Sequence, residues 1–176
     1  MSSTSLNANK ALAGGFLVLS LFGITRLLNL SGFPIFTDEA IYIHWAQLMR
    51  SDWEDLFISK MDGKQPLYMW LVALALNFKL DPLITGRCVT ILASLSSVVG
   101  IFYIGKELFN YRVGFFAVLS WIFLPYLLFF DRLALADGLL TACGVWAVVM
   151  AVYIIKNHKS GISPFLFLGG FLGCAY

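Results

Sequence analysis

Three short stretches of this chain hold charged side chains among apolar neighbours, where charge is costly and usually pairs or lines a cavity. The first is Phe36-Thr37-Asp38-Glu39-Ala40, which opens a pattern of Ile41, Tyr42, Trp45, Leu48 and Met49 at helical spacing. Thr37 is the expected N-cap, and acids in a first helical turn are favoured by the helix dipole. Asp38 falls on the apolar face, three and four residues before Ile41 and Tyr42, so it points toward a membrane-side cavity. Glu39 projects roughly 100° away, so the two acids need not share a role. A plain interfacial helix would begin the same way.

The second stretch is Lys64-Gln65-Pro66, where a polar segment meets an apolar one. Pro suits a first helical turn, and Lys64 would sit near the headgroup plane, either holding a lipid phosphate as a point charge or anchoring a helix end. The third runs from Phe130 to Gly138, with Asp131, Arg132 and Asp137 set among apolar residues. Its plainer reading makes Asp137 a helix N-cap and pairs Arg132 with Asp131 or a headgroup. Arg26 and Arg87 lie near the ends of apolar stretches and read first as snorkelling residues. His44 and His158 have no partner at metal-ligand spacing.

These residues are positioned by apolar helices. Hydrophobic residues make up 60% of the chain and charged ones 12%, a balance that a soluble domain of this length could not bury but a bilayer accepts. The net charge of +2 and the lack of any basic run exclude a nucleic-acid reading. Cys88, Cys143 and Cys174 show no metal or redox spacing and read as small hydrophobes. The expected fold is all-α, a polytopic bundle crossing the bilayer at least four times. Its helices are expected at about 11–30, 84–105, 113–130, 139–155 and 164–176, the last running to the chain end. The stretch 11–30 is too long for a signal h-region and precedes no small-x-small site, so it reads as a retained helix.

Sidedness turns on Pro66–Leu80. If that short stretch spans, the loops Lys106–Arg112 and Lys156–Lys159 fall outside; if it does not, both join Lys10 inside. The positive-inside rule favours the second arrangement. The segment 31–83 is then an outer loop with juxtamembrane helices, and Asp38, Glu39, Lys64, Arg87, Arg132 and Asp137 share one side.

The order of Asp-Glu after the first helix, Lys-x-Pro before the next, and Arg132-Leu133-Ala134-Leu135-Ala136-Asp137 after the third span resembles the GT-C glycosyltransferases. The similarity is to the branch containing lipid A aminoarabinose transferases, RgtA/B/C/D-like enzymes and protein mannosyltransferases. It implies that residues 1–176 are the N-terminal part of a GT-C transmembrane domain. It also implies a sugar on polyprenyl phosphate as donor, a lipid, glycan or protein as acceptor, and transfer at the outer face of a membrane, here the bacterial plasma membrane. On this resemblance Asp38, Glu39 and Asp137 are the catalytic acids, and Lys64 binds the donor phosphate, joined by Arg132 or Arg87. The usual Lys-Pro-Pro stands here as Lys-Gln-Pro. No cofactor or metal site is implied, with a divalent ion left open. The reaction needs a base for the acceptor hydroxyl and cations for the leaving phosphate, which these residues supply. A transporter would instead place charges or helix breaks near span centres; apart from Arg87, the charges here stand at span ends.

Overall fold

The computed structural model describes residues 3–52, 54–157 and 162–175. His158 and Lys159 lie outside the described residues, as do the side chains of Lys10 and Cys174. The described residues form α1 (Ser3–Leu27), α2 (Thr37–Ser51), α3 (Leu67–Ala75), α4 (Pro82–Leu108), α5 (Tyr111–Phe123), α6 (Pro125–Phe130), α7 (Ala136–Lys156) and α8 (Ser163–Ala175). Short 3-10 turns at Leu30–Gly32, Glu54–Asp62 and Leu76–Phe78 link them, and no strand forms among the described residues. The bundle is all-α, as the composition requires.

Three segments, Leu12–Gly32, Pro82–Leu108 and Ala136–Lys156, are long and apolar enough to cross a membrane. The stretch 113–130, expected as one span, is two helices. Pro125 has no N–H and forces Leu124 out of the helical region, to φ −64° and ψ 118°. The break frees the carbonyls of Trp121 and Ile122 in an apolar setting, and Arg26 donates to both. Arg26 therefore does not snorkel. It is fully buried, donates to Asp131 Oδ2 at 3.0 Å from Nη2, and shares that oxygen with the Ser94 hydroxyl at 2.6 Å. One arginine thus joins α1 to the proline break and to the end of α6, and Ser94 adds α4.

Helix direction follows from these contacts. Arg87, early in α4, donates to the carbonyls of Leu30, Phe33 and Pro34 just after α1. The end of α1 and the start of α4 therefore lie at the same end of the bundle. At 9 residues α3 is shorter than the roughly 20 that a span needs. Lys156 bonds Glu107 at the far end, where a Cβ on Gly14 would lie 3.5 Å from the Tyr111 hydroxyl. Accordingly α4 and α7 run parallel, with α5 and α6 returning between them.

Lipid supplies no hydrophobic drive between helices, so association depends on close packing and polar contacts. A Cβ on Gly105 would come within 2.7 Å of Gly114 Cα, and one on Gly100 within 2.4 Å of Val145. Glycine at these positions lets α4 approach α5 and α7. At the other end α2 and α3 pack through Tyr42, Ala46, Met49, Tyr68, Met69 and Val72.

Candidate active site

The site end is organised by Glu39. Sequence spacing turned this acid away from Asp38, and in the fold it is fully buried together with Arg87. Arg87 Nε donates to Glu39 Oε1 at 2.8 Å and Nη2 to Oε2 at 2.8 Å, a bidentate pair. Each carboxylate oxygen accepts one more bond, from Ala134 N–H at 2.6 Å and from Phe36 N–H at 3.0 Å. Phe36 is the N-cap and Thr37 the first residue of α2, so the expected Thr37 cap gives way to the Glu39 carboxylate. Burial alone would push the Glu39 carboxyl up, but Arg87 and the two N–H groups outweigh it and hold the carboxyl below its ordinary value.

This pairing occupies both residues. Glu39 has no exposed oxygen for an acceptor, and Arg87 is engaged by Glu39 and three backbone carbonyls rather than open to a phosphate. The pair instead ties the segment bearing Asp38 to the segment bearing Asp137, because one carboxylate holds both Phe36 and Ala134. Close packing repeats the tie. A Cβ on Gly86 would meet the Ala134 side chain at 2.8 Å, and one on Gly138 would meet Thr90 at 2.6 Å. Tyr68 completes it, bonding Gly86 O and Thr90 Oγ1 at 3.0 Å each.

Asp137, Lys64 and Tyr42 line one cavity of about 200 Å³, with Gln65, Tyr68 and Leu139. Asp137 is exposed in the first turn of α7, after the N-cap Leu135, and so is not itself the cap. Asp38 is half-buried one turn before Tyr42 on α2. Asp38 and Asp137 both act electrostatically on Tyr42, whose hydroxyl is raised above its ordinary value mainly by burial. The Lys64 ammonium is held above its ordinary value, first by Tyr42 and then by Asp38. The two acids, far apart in sequence, thus stand around one tyrosine and one lysine.

Arg132 takes a different place. Its guanidinium lies 4.5 Å over the Phe33 ring, and Nη2 donates to the carbonyls of Leu28 and Asn29. It pairs with neither Asp131, which belongs to Arg26, nor the cavity acids. Its Nε is buried with no partner among the described residues. His44 is exposed on α2, and no three His, Cys, Asp or Glu side chains cluster as metal ligands among the described residues.

Beside the cavity runs an apolar groove of about 890 Å³ between α3, α4, α7 and α8. Leu139 lines both. A pocket lined by one acid, Asp137, and one cation, Lys64, therefore adjoins an apolar groove.

The dolichyl-phosphate-mannose-protein mannosyltransferase family matches residues 63–176. The chain belongs to this family. It is a multi-pass membrane glycosyltransferase of the GT-C type. The matched region holds Lys64, Arg87, Arg132 and Asp137, while Asp38 and Glu39 lie before it. No curated protein and no solved structure matches the chain.

Sequence reasoning missed Tyr42 as a site residue, because a tyrosine on an apolar helix face is ordinary packing. It also missed the Glu39–Arg87 pairing. The signal for that lay in a charge early in an apolar helix, which calls for a partner.

Proposed function

We propose that residues 1–176 form the N-terminal part of a GT-C transmembrane domain that moves a sugar from polyprenyl phosphate to a lipid, glycan or protein acceptor. Transfer takes place at the outer face of the bacterial plasma membrane. The observation that carries this reading is the cavity shared by Lys64 and Asp137, with Asp38 beside it and the apolar groove opening next to it. A polyprenyl chain suits the groove, and its phosphate would then meet Lys64.

In the proposed reaction Asp38 or Asp137 takes the proton of the acceptor hydroxyl. The freed oxygen forms the new bond to the anomeric carbon while the bond to the carrier phosphate breaks. Lys64 offsets the charge gathering on the departing phosphate. A single displacement of this kind inverts the anomeric centre. Asp38 and Asp137 act at the ends of α2 and α7, where the helix dipoles favour carboxylate. Glu39 and Arg87 act by position, holding both acidic segments, and Arg132 serves the carrier phosphate only by displacing its present backbone contacts. The outer face is supported by Lys106, Arg112 and Lys156 at the opposite end of the bundle.

The test is transfer kinetics of the full-length enzyme in lipid. Lys64→Ala removes a charge-assisted phosphate contact, about 1.5–3 kcal/mol, so donor use should fall roughly 10- to 150-fold. Asp38→Asn and Asp137→Asn keep shape, and the base among them should lower kcat by about 10²- to 10⁴-fold. Unchanged donor kinetics in Lys64→Ala would return Lys64 to an interfacial anchor.

A further inference from the structure

We propose that Tyr42 is a positioning residue that fixes the Lys64 ammonium in the cavity and keeps it off the flanking carboxylates. This rests on the reading of Lys64 as the phosphate contact and adds the residue that holds it. Lys64 is exposed on a loop and has a long side chain with much rotamer freedom to lose. Its backbone is fixed. Gly63 takes φ 68°, Gly63 N–H bonds Lys60 O at 3.1 Å, and Lys64 N–H bonds Ser59 O at 3.0 Å. The side chain then reaches back over Tyr42, with Nζ 6.0 Å from the ring centroid.

Tyr42 suits this task because it cannot move far. It is 6% exposed, stacked on Trp45 at 6.0 Å and edge-on to Tyr68 at 6.1 Å, and Tyr68 is itself bonded to α4. It lines the cavity that Lys64 and Asp137 also line, and its hydroxyl acts on the Lys64 ammonium. Two carboxylates flank the ring, and either would attract a wandering ammonium. Among the described residues Lys64 forms no ion pair with Asp38 or Asp137. A cation held on a neutral hydroxyl and a ring face stays available to phosphate, and the acids stay available to a hydroxyl proton. Direct pairing of Lys64 with an acid would remove both functions at once.

The experiment titrates undecaprenyl phosphate into full-length enzyme in lipid nanodiscs, comparing wild type, Tyr42→Phe, Lys64→Ala and the double variant. Tyr42→Phe keeps the ring and its packing and deletes only the hydroxyl. Affinity should fall roughly 10- to 150-fold in Lys64→Ala and roughly 2- to 12-fold in Tyr42→Phe. The double variant should bind like Lys64→Ala, because the hydroxyl acts only through the ammonium. Equal losses from Tyr42→Phe with and without Lys64, or no loss at all, would overturn the proposal while leaving the phosphate site standing. No loss in Lys64→Ala would overturn the phosphate site itself.

Discussion

Replacing Glu39 by Gln changes almost no volume, yet it should be among the most damaging single substitutions at the site end. The carboxylate accepts four bonds, two from Arg87 and one each from Phe36 and Ala134. A glutamine amide keeps one accepting oxygen. Whichever way it turns, its NH₂ faces one Arg87 N–H and one backbone N–H, setting donor against donor. Arg87 meanwhile keeps its charge at full burial with no counter-charge. Breaking such a pair from one side costs roughly 3–5 kcal/mol. At this chain length each kcal/mol moves a thermal midpoint by roughly 2–4 °C, so a drop on the order of 10 °C is expected. The assay is thermal unfolding in detergent followed by a thiol-reactive dye reporting exposure of the buried Cys143. Glu39→Met with Arg87→Met should cost less than the two single changes added, because no lone charge stays buried. Acid gives an independent check. The Glu39 carboxyl is held below its ordinary value near 4.5, so its stabilisation is present above that pH and is lost as the pH falls through the lower, folded value. Glu39→Gln should flatten that part of the stability curve. A midpoint within about 1 °C of wild type, or strictly additive single changes, would refute the clamp.

Two further outcomes test the bundle. In a cysteine-free background, an impermeant reagent added outside should label Asp52→Cys and spare Asn110→Cys; outside labelling at position 110 would reverse the proposed sidedness. Gly105→Ala should destabilise by about 1–3 kcal/mol, because its Cβ would press on the Gly114 backbone at 2.7 Å. Gly144→Ala, with nothing within 4 Å of the added Cβ, should be neutral or slightly stabilising in the same unfolding assay.

The sequence by itself determined the class of fold, because apolar runs longer than a bilayer is thick have only the helix as a way to satisfy their backbone. Local caps open two of the helices, Asp81 accepting from Ile84 N–H and Asn110 from Val113 N–H. The sequence also marked Asp38, Lys64 and Asp137 as charges at membrane edges, and the order of these motifs pointed to the family. What the sequence could not decide was partnership. Arg26 and Arg87 look alike as charges in apolar helices, and snorkelling is the cheapest local answer for each. Only the packed bundle brings Asp131 within 3.0 Å of one and Glu39 within 2.8 Å of the other. Local spacing likewise sets Glu39 beside Asp38, while the fold turns it inward to hold Ala134. The division has one physical cause. Helix formation in lipid is a local requirement on the backbone, whereas the pairing of buried charges depends on which segments meet across gaps of 48 and 105 residues.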